Sequence, residues 1–207
     1  MTPGPALRIG LHLGWFAGLS FALAVIVAAT SLPGYDHARH AVGLLGTRLS
    51  SHAAVFNAVG FVLSGLALSA FAIALERRLA PLSRAGRLAT GMLLIAGLAF
   101  AAQGGFSFDP NDIEGEASRR HATAHGIALL AWCGALAWLG VALRTRRGWR
   151  TVSLAAWLGV GAMIALALAP LDLLGGAGAT QRWQWAAFFA WPALASRVAL
   201  RRDQLPL

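Results

Sequence analysis

The sequence predicts an all-α integral membrane protein: one domain, residues 1–207, folded as a six-transmembrane-helix bundle with both termini in the cytoplasm. Three observations carry that prediction. Hydrophobic residues make up 57% of the chain and charged residues 12%, against about 25% charged in a soluble domain. The chain therefore has too little polar surface to cover itself in water, and its mean hydropathy is +0.64. Apolar runs of about 20 residues recur, each long enough to cross a hydrocarbon layer of about 30 Å as a helix. All 17 basic residues are arginine, and most of them cluster in short stretches between those runs.

The first run, about 9–31, follows Arg8. It is longer than the apolar core of a signal peptide, about 7–15 residues, and reads as a retained span. Gly10, Gly14 and Gly18 recur every fourth residue, leaving one helix face almost without side chains, which suits close helix packing in lipid. The packing helix can come from the same chain or from a second copy in a homodimer. A polar connection, 32–51, contains Tyr35-Asp36-His37-Ala38-Arg39-His40. The second span, about 52–75, closes on Glu76-Arg77-Arg78. Pro81 and Ser83 then break the chain before the third, about 85–105. An acidic loop leads to His121-Ala122-Thr123-Ala124-His125, the head of a fourth span at about 121–143. Arg144, Arg146, Arg147 and Arg150 form the next turn. Spans five, about 149–173, and six, about 179–200, join through the glycine-rich stretch 174–180.

Placing both termini inside puts 12 of the 17 arginines on the cytoplasmic side, as the positive-inside rule requires. Arg39, Arg48, Arg119, Arg120 and Arg182 stay outside. The acids divide the other way: Asp36, Asp109, Asp112, Glu114, Glu116 and Asp172 lie outside, Glu76 and Asp203 inside. This predicts a multi-pass protein of the bacterial cytoplasmic membrane with its His/Asp-rich loops on the extracytoplasmic side. The net charge of +9 then has a topological role. Nucleic-acid binding needs a solvated basic face, which arginines split among short loops do not form. The single cysteine, Cys133, excludes an internal disulfide.

Five of the six histidines fall at the outer face: His37, His40, His52, His121 and His125. His121 and His125, at i and i+4, share one helix face and can chelate one metal ion. Catalytic zinc takes three protein ligands and one open position; Asp109 or one of His37 and His40 could complete the set. Such a metal would bring the pKa of bound water toward about 7. The same histidines also suit a structural polar cluster, a haem site or a proton relay. Asp109-Pro110 reads equally as the opening of a turn. Asp36, Arg39, Asp172, Gln181 and Arg182 are candidate binding residues, and Asp172 and Arg182 flank the last outer turn as an expected ion pair. Trp183, Trp185 and Trp191, with Phe188 and Phe189, read as an interfacial belt plus packing.

The order of segments resembles the bacterial six-helix membrane protein family catalogued as domain of unknown function 998. The likeness rests on Tyr35 to His40 running on to Leu45-Gly46, on Gly104-Gly105-Phe106-Ser107-Phe108-Asp109-Pro110, on His121 to His125 and on Gln181-Arg182. It covers nearly the whole chain and departs from the family pattern at Ser107 and Gly43. It implies the architecture and no activity. A looser likeness, histidines plus an aspartate at helix ends, is to zinc hydrolases of the alkaline ceramidase and progestin-receptor superfamily, which have seven helices.

Two classes of function follow. One is a membrane protein whose outward polar His/Asp pocket binds a lipid headgroup or an envelope partner. The other is a zinc-assisted membrane hydrolase or transferase acting on a lipid-linked substrate, with His121 and His125 as ligands and Asp109 as third ligand or base. A haem-binding or proton-coupled protein is a weaker third. Against a carrier, no acidic residue lies in the middle of a span.

Overall fold

The computed structural model describes residues 4–201; Arg202 and Asp203, which entered the charge count, lie outside the described residues. The chain forms six long helices: α1 Pro5–Ala29, α2 Ala53–Leu79, α3 Arg84–Ala102, α4 Glu116–Leu143, α5 Arg150–Leu168 and α6 Ala177–Arg201. The first five are long and apolar enough to cross a membrane. The sixth is as long as α1, but Gln181, Arg182, Gln184 and Arg197 dilute its apolar character. No strand occurs among the described residues.

Two boundaries differ from the expected ones for identifiable reasons. α5 stops at Leu168, not near 173, because Pro170 lacks an N–H and pushes Ala169 into extended backbone (ψ 140°). Leu171–Leu174 then makes a separate 3₁₀ turn. α4 begins at Glu116, five residues before His121, and its polar first turns are held in register by the Glu116–Arg120 pair. Inside α2, residues Asn57–Leu63 widen into a π-helix.

Each helix packs on its chain neighbours, and α1 packs on α6, so the six close into a ring. The connections 30–52, 103–115 and 169–176 gather at one end, called here the loop end; the termini and the two remaining connections lie at the other. Five described arginines, Arg39, Arg48, Arg119, Arg120 and Arg182, stand at the loop end, and the other 11 of the 16 at the opposite end.

Aromatic side chains fill the ring. Phe21, Phe61, Phe100, Trp132 and Phe188 are buried from five different helices. Phe100 meets Trp185 edge-on at 4.9 Å between centroids, and Trp132 stacks on Phe188 at 5.5 Å, the arrangements that aromatic quadrupoles favour. The buried indoles of Trp132 and Trp191 donate to the carbonyls of Phe188 and Val152, at 3.0 and 3.1 Å. The expected aromatic belt is thus mostly core: Trp183 is exposed, whereas Trp185, Phe188, Phe189 and Trp191 are buried.

Glycines set how closely the helices approach. A Cβ on Gly14 would come within 2.7 Å of the Phe71 ring and of the Pro192 carbonyl, and one on Gly18 within 2.9 Å of Phe189. The Gly10/Gly14/Gly18 face is therefore occupied by the chain's own α2 and α6. Between α2 and α3 the contact is backbone on backbone. A Cβ on Gly65 would lie 2.5 Å from the Gly97 carbonyl, and one on Gly97 2.7 Å from the Gly65 carbonyl.

Candidate functional site

The loop end carries three groups of polar side chains, each placed by different elements. The first fastens the 32–41 loop to α6. Asp36 Oδ1 accepts the Ala38 N–H at 2.7 Å, which holds its carboxyl below the usual range. His40 Nδ1 accepts the Asp36 N–H at 2.9 Å. Arg182, in the second turn of α6, reaches across this loop. Its Nε donates to His37 Nδ1 at 3.1 Å, and its Nη1 to the carbonyls of His40 (3.0 Å) and Gly178 (2.8 Å). Its Nη2 donates to the Tyr35 hydroxyl. Burial pushes the Tyr35 phenol up from its ordinary 10.0, with Arg182 opposing. The Val42 N–H donates to Gln181 Oε1 at 2.7 Å. Gly178 has no room for a side chain, since its Cβ would meet the His40 carbonyl at 2.6 Å.

Of the candidate binding residues, then, Arg182 is brought onto the Tyr35–His40 loop and Gln181 onto Val42 just beyond it. The expected Asp172–Arg182 ion pair is absent among the described residues. Arg182 faces the 32–41 loop, while Asp172 is exposed in the 3₁₀ turn before α6. Arg39 lies 3.5 Å from Asp36, with the arginine side chain largely in solvent and the aspartate half-buried, a pair of little energetic weight.

The second group ties α4 to the end of α3. His121 Nδ1 lies 2.8 Å from the Phe106 carbonyl and 3.2 Å from that of Gln103. Carbonyls only accept, so Nδ1 carries the proton and the neutral ring keeps its lone pair on Nε2. Nε2 faces Gly43, where an added Cβ would stand 3.3 Å away. His125 Nδ1 is 3.4 Å from Gln103 Oε1, and its ring meets Trp185 edge-on at 5.0 Å. Asn57, at the start of the π-helix, donates to the Gly46 carbonyl and to Ser107 Oγ at 3.0 and 3.1 Å.

The histidines share a face of α4, as their spacing requires, yet they do not form the expected metal set. No three His, Cys, Asp or Glu side chains among the described residues are placed to hold one ion. His121 and His125 turn to Gln103, while His37 and His40 turn to Arg182 and Asp36. Asp109 is exposed and accepts the Asn111 N–H at 2.9 Å, the turn-opening role of an Asp-Pro pair. Behind it, Ser118 Oγ donates to the Asp112 carbonyl at 2.8 Å.

The third group surrounds two adjoining cavities. One, of about 580 Å³, opens between the 30–52 and 103–115 loops, with Phe106 and Phe108 in its wall and Arg48, Asp109, Asn111 and Arg120 among its polar residues. The other, of about 480 Å³, runs along the α3–α4 seam between Ala99, Ala102, Thr123, Ala124 and Ile127. Phe106, Glu116 and Arg120 line both. Arg120 pairs with Glu116 and stands 5.6 Å over the Phe106 ring, a cation–π contact. Neither Arg48 nor Arg119 has a carboxylate partner among the described residues. Sequence reasoning counted these arginines as exceptions to the charge sorting and gave them no role. That exception was the available signal: basic residues kept on the arginine-poor end.

Compared with known protein families, the chain matches over residues 16–198 the model described as Protein of unknown function (DUF998). No curated protein and no solved structure matches it.

Proposed function

The chain belongs to the DUF998 family of proteins of unknown function, and from that premise we propose that it is a membrane protein that binds an anionic phospholipid. The phosphate sits in the loop-end cavity beside Arg48 and Arg120, and an acyl chain lies along the α3–α4 groove. The observation that carries this reading is the junction of a polar and an apolar cavity through Phe106, Glu116 and Arg120. A phospholipid has the same two-part character. Guanidinium groups suit phosphate oxygens, which they can meet with paired N–H donors. Three arginines against Asp109 and Glu116 leave the site net positive, and neither Arg48 nor Arg119 is neutralised by a carboxylate among the described residues. The arginine sorting supports a loop end on the extracytoplasmic side of the cytoplasmic membrane, so the bound lipid belongs to the outer leaflet.

Detergent-solubilised protein titrated with a fluorescent phosphatidylglycerol tests this by anisotropy. Arg48→Gln is expected to weaken binding about five- to thirtyfold, the equivalent of about 1–2 kcal/mol for a solvent-screened charged contact. Phosphatidylcholine should bind more weakly than phosphatidylglycerol. Equal affinity of the Arg48→Gln/Arg120→Gln variant and the parent would sink the proposal.

A further inference from the structure

A second groove lies across the bundle from the first. The ring order places the α1–α6 seam opposite the α3–α4 seam. Along it runs a cavity of about 300 Å³ whose walls are Phe21, Ala22, Val25, Ala186 and Phe189, with His37, Arg182 and Trp185 as its polar members.

The hydrogen-bond chemistry of those three residues is one-sided. Arg182 has five N–H donors and no acceptor. Four of them go to His37 Nδ1, the carbonyls of His40 and Gly178, and the Tyr35 hydroxyl, which leaves one on Nη2. Because His37 Nδ1 accepts from a guanidinium, that nitrogen carries the lone pair, and the proton of the neutral ring is on Nε2. The Trp185 indole N–H is buried, with the residue 3% exposed, and has no partner. Leaving such a donor buried and unpaired costs free energy of the order of a lost hydrogen bond. The residues lining the groove thus carry three spare N–H donors and one guanidinium charge, and no carboxylate pairs with Arg182 among the described residues.

We propose that the α1–α6 groove is a separate binding site for a fatty acid, with its carboxylate held at Arg182, His37 and Trp185 and its acyl chain between α1 and α6. A carboxylate is acceptor-only and singly charged, which matches one cation and the spare donors on the residues beside it. A phosphate monoester carries up to two charges and would be left half neutralised.

The test is quenching of tryptophan fluorescence by a fatty acid brominated in mid-chain, titrated into the detergent-solubilised protein. Quenching is expected to saturate, and the brominated alcohol of equal length should bind at least tenfold more weakly. Ala186→Phe fills the groove from a lipid-exposed position and leaves the Arg182 contacts alone. It is expected to abolish the saturable phase with the melting midpoint unchanged. Arg48→Gln should leave this phase intact, which separates the site from the phospholipid site. Equal binding of the alcohol would overturn the proposal, as would tight binding to Ala186→Phe. Saturation by a monoacyl phosphate but not by the fatty acid would overturn the carboxylate assignment.

Discussion

Gly97→Ala is expected to destabilise the protein by about 1–3 kcal/mol, and Gly97→Leu by more. The added Cβ meets the Gly65 carbonyl at 2.7 Å and the Ser69 N at 2.8 Å, both backbone atoms that cannot turn aside. Ser69 Oγ, which donates to the Gly65 and Leu94 carbonyls at 2.9 and 3.3 Å, would lose its place between the helices. The seam can relieve the clash only by separating α2 from α3, which also loosens the Asn57–Ser107 contact at the loop end. Gly91→Ala is the internal control: it lies on the same helix with nothing within 4 Å of its Cβ. There the substitution should be neutral or stabilising by a few tenths of a kcal/mol, by the better helix propensity of alanine. Thermal melts in detergent compare the two, and equal midpoints would refute the close α2–α3 approach.

The second large effect belongs to Arg182→Gln, expected to cost about 2–4 kcal/mol and to release the 32–41 loop. Hydrogen bonds to a charged group are worth about 1.5–3 kcal/mol each, and several on one side chain do not add. Partial exposure of Arg182 trims the total further. Arg182→Lys should rescue little, because an ammonium cannot span the His37 ring, two carbonyls and the Tyr35 hydroxyl from one planar fork. Hydrogen exchange over residues 32–46 reads the release directly. A second readout comes from Tyr35, the only tyrosine in the chain, so phenolate absorbance reports it alone. In the parent, burial places its titration above the ordinary 10.0. A raised folded-state value means stability fully present below about pH 10 and lost as pH rises through the raised value. In Arg182→Gln the midpoint should fall back to the ordinary value as the loop leaves α6. A midpoint that stays raised would show that the loop is held by something other than Arg182.

How much of this could be read from the residues follows from what each interaction depends on. Run length and the arginine distribution indicated six helices because both are properties of the linear chain. The early end of α5 was also legible, since Pro170 stands inside the run taken as one span. The π-helix at Asn57–Leu63 left no mark in an apolar stretch; Gly104, distant in sequence, packs so closely on it that an added Cβ would lie 2.6 Å from the Asn57 carbonyl. At the loop end, the i, i+4 spacing placed His121 and His125 on one face. Their partner, Gln103, was decided by how the end of α3 turns back on α4. Gln181 and Arg182 both meet another element, but the partners are Val42 and the Tyr35–His40 loop and not Asp172. Arg48 and Arg120 face one cavity only because the 30–52 and 103–115 loops are neighbours in the ring, a relation with no counterpart in sequence order.

The central claim is that an anionic phospholipid lies with its head in the loop-end cavity and a chain along the α3–α4 seam. Its most direct test is photocrosslinking with a phosphatidylglycerol carrying a photoactivatable acyl chain, followed by mass-spectrometric mapping of the adducts. Adducts concentrated on Phe106, Thr123 and Ile127, and removed by unlabelled phosphatidylglycerol, are the predicted result. Adducts spread evenly around the six helices, or undiminished by the competitor, would mean that these cavities hold only bulk lipid.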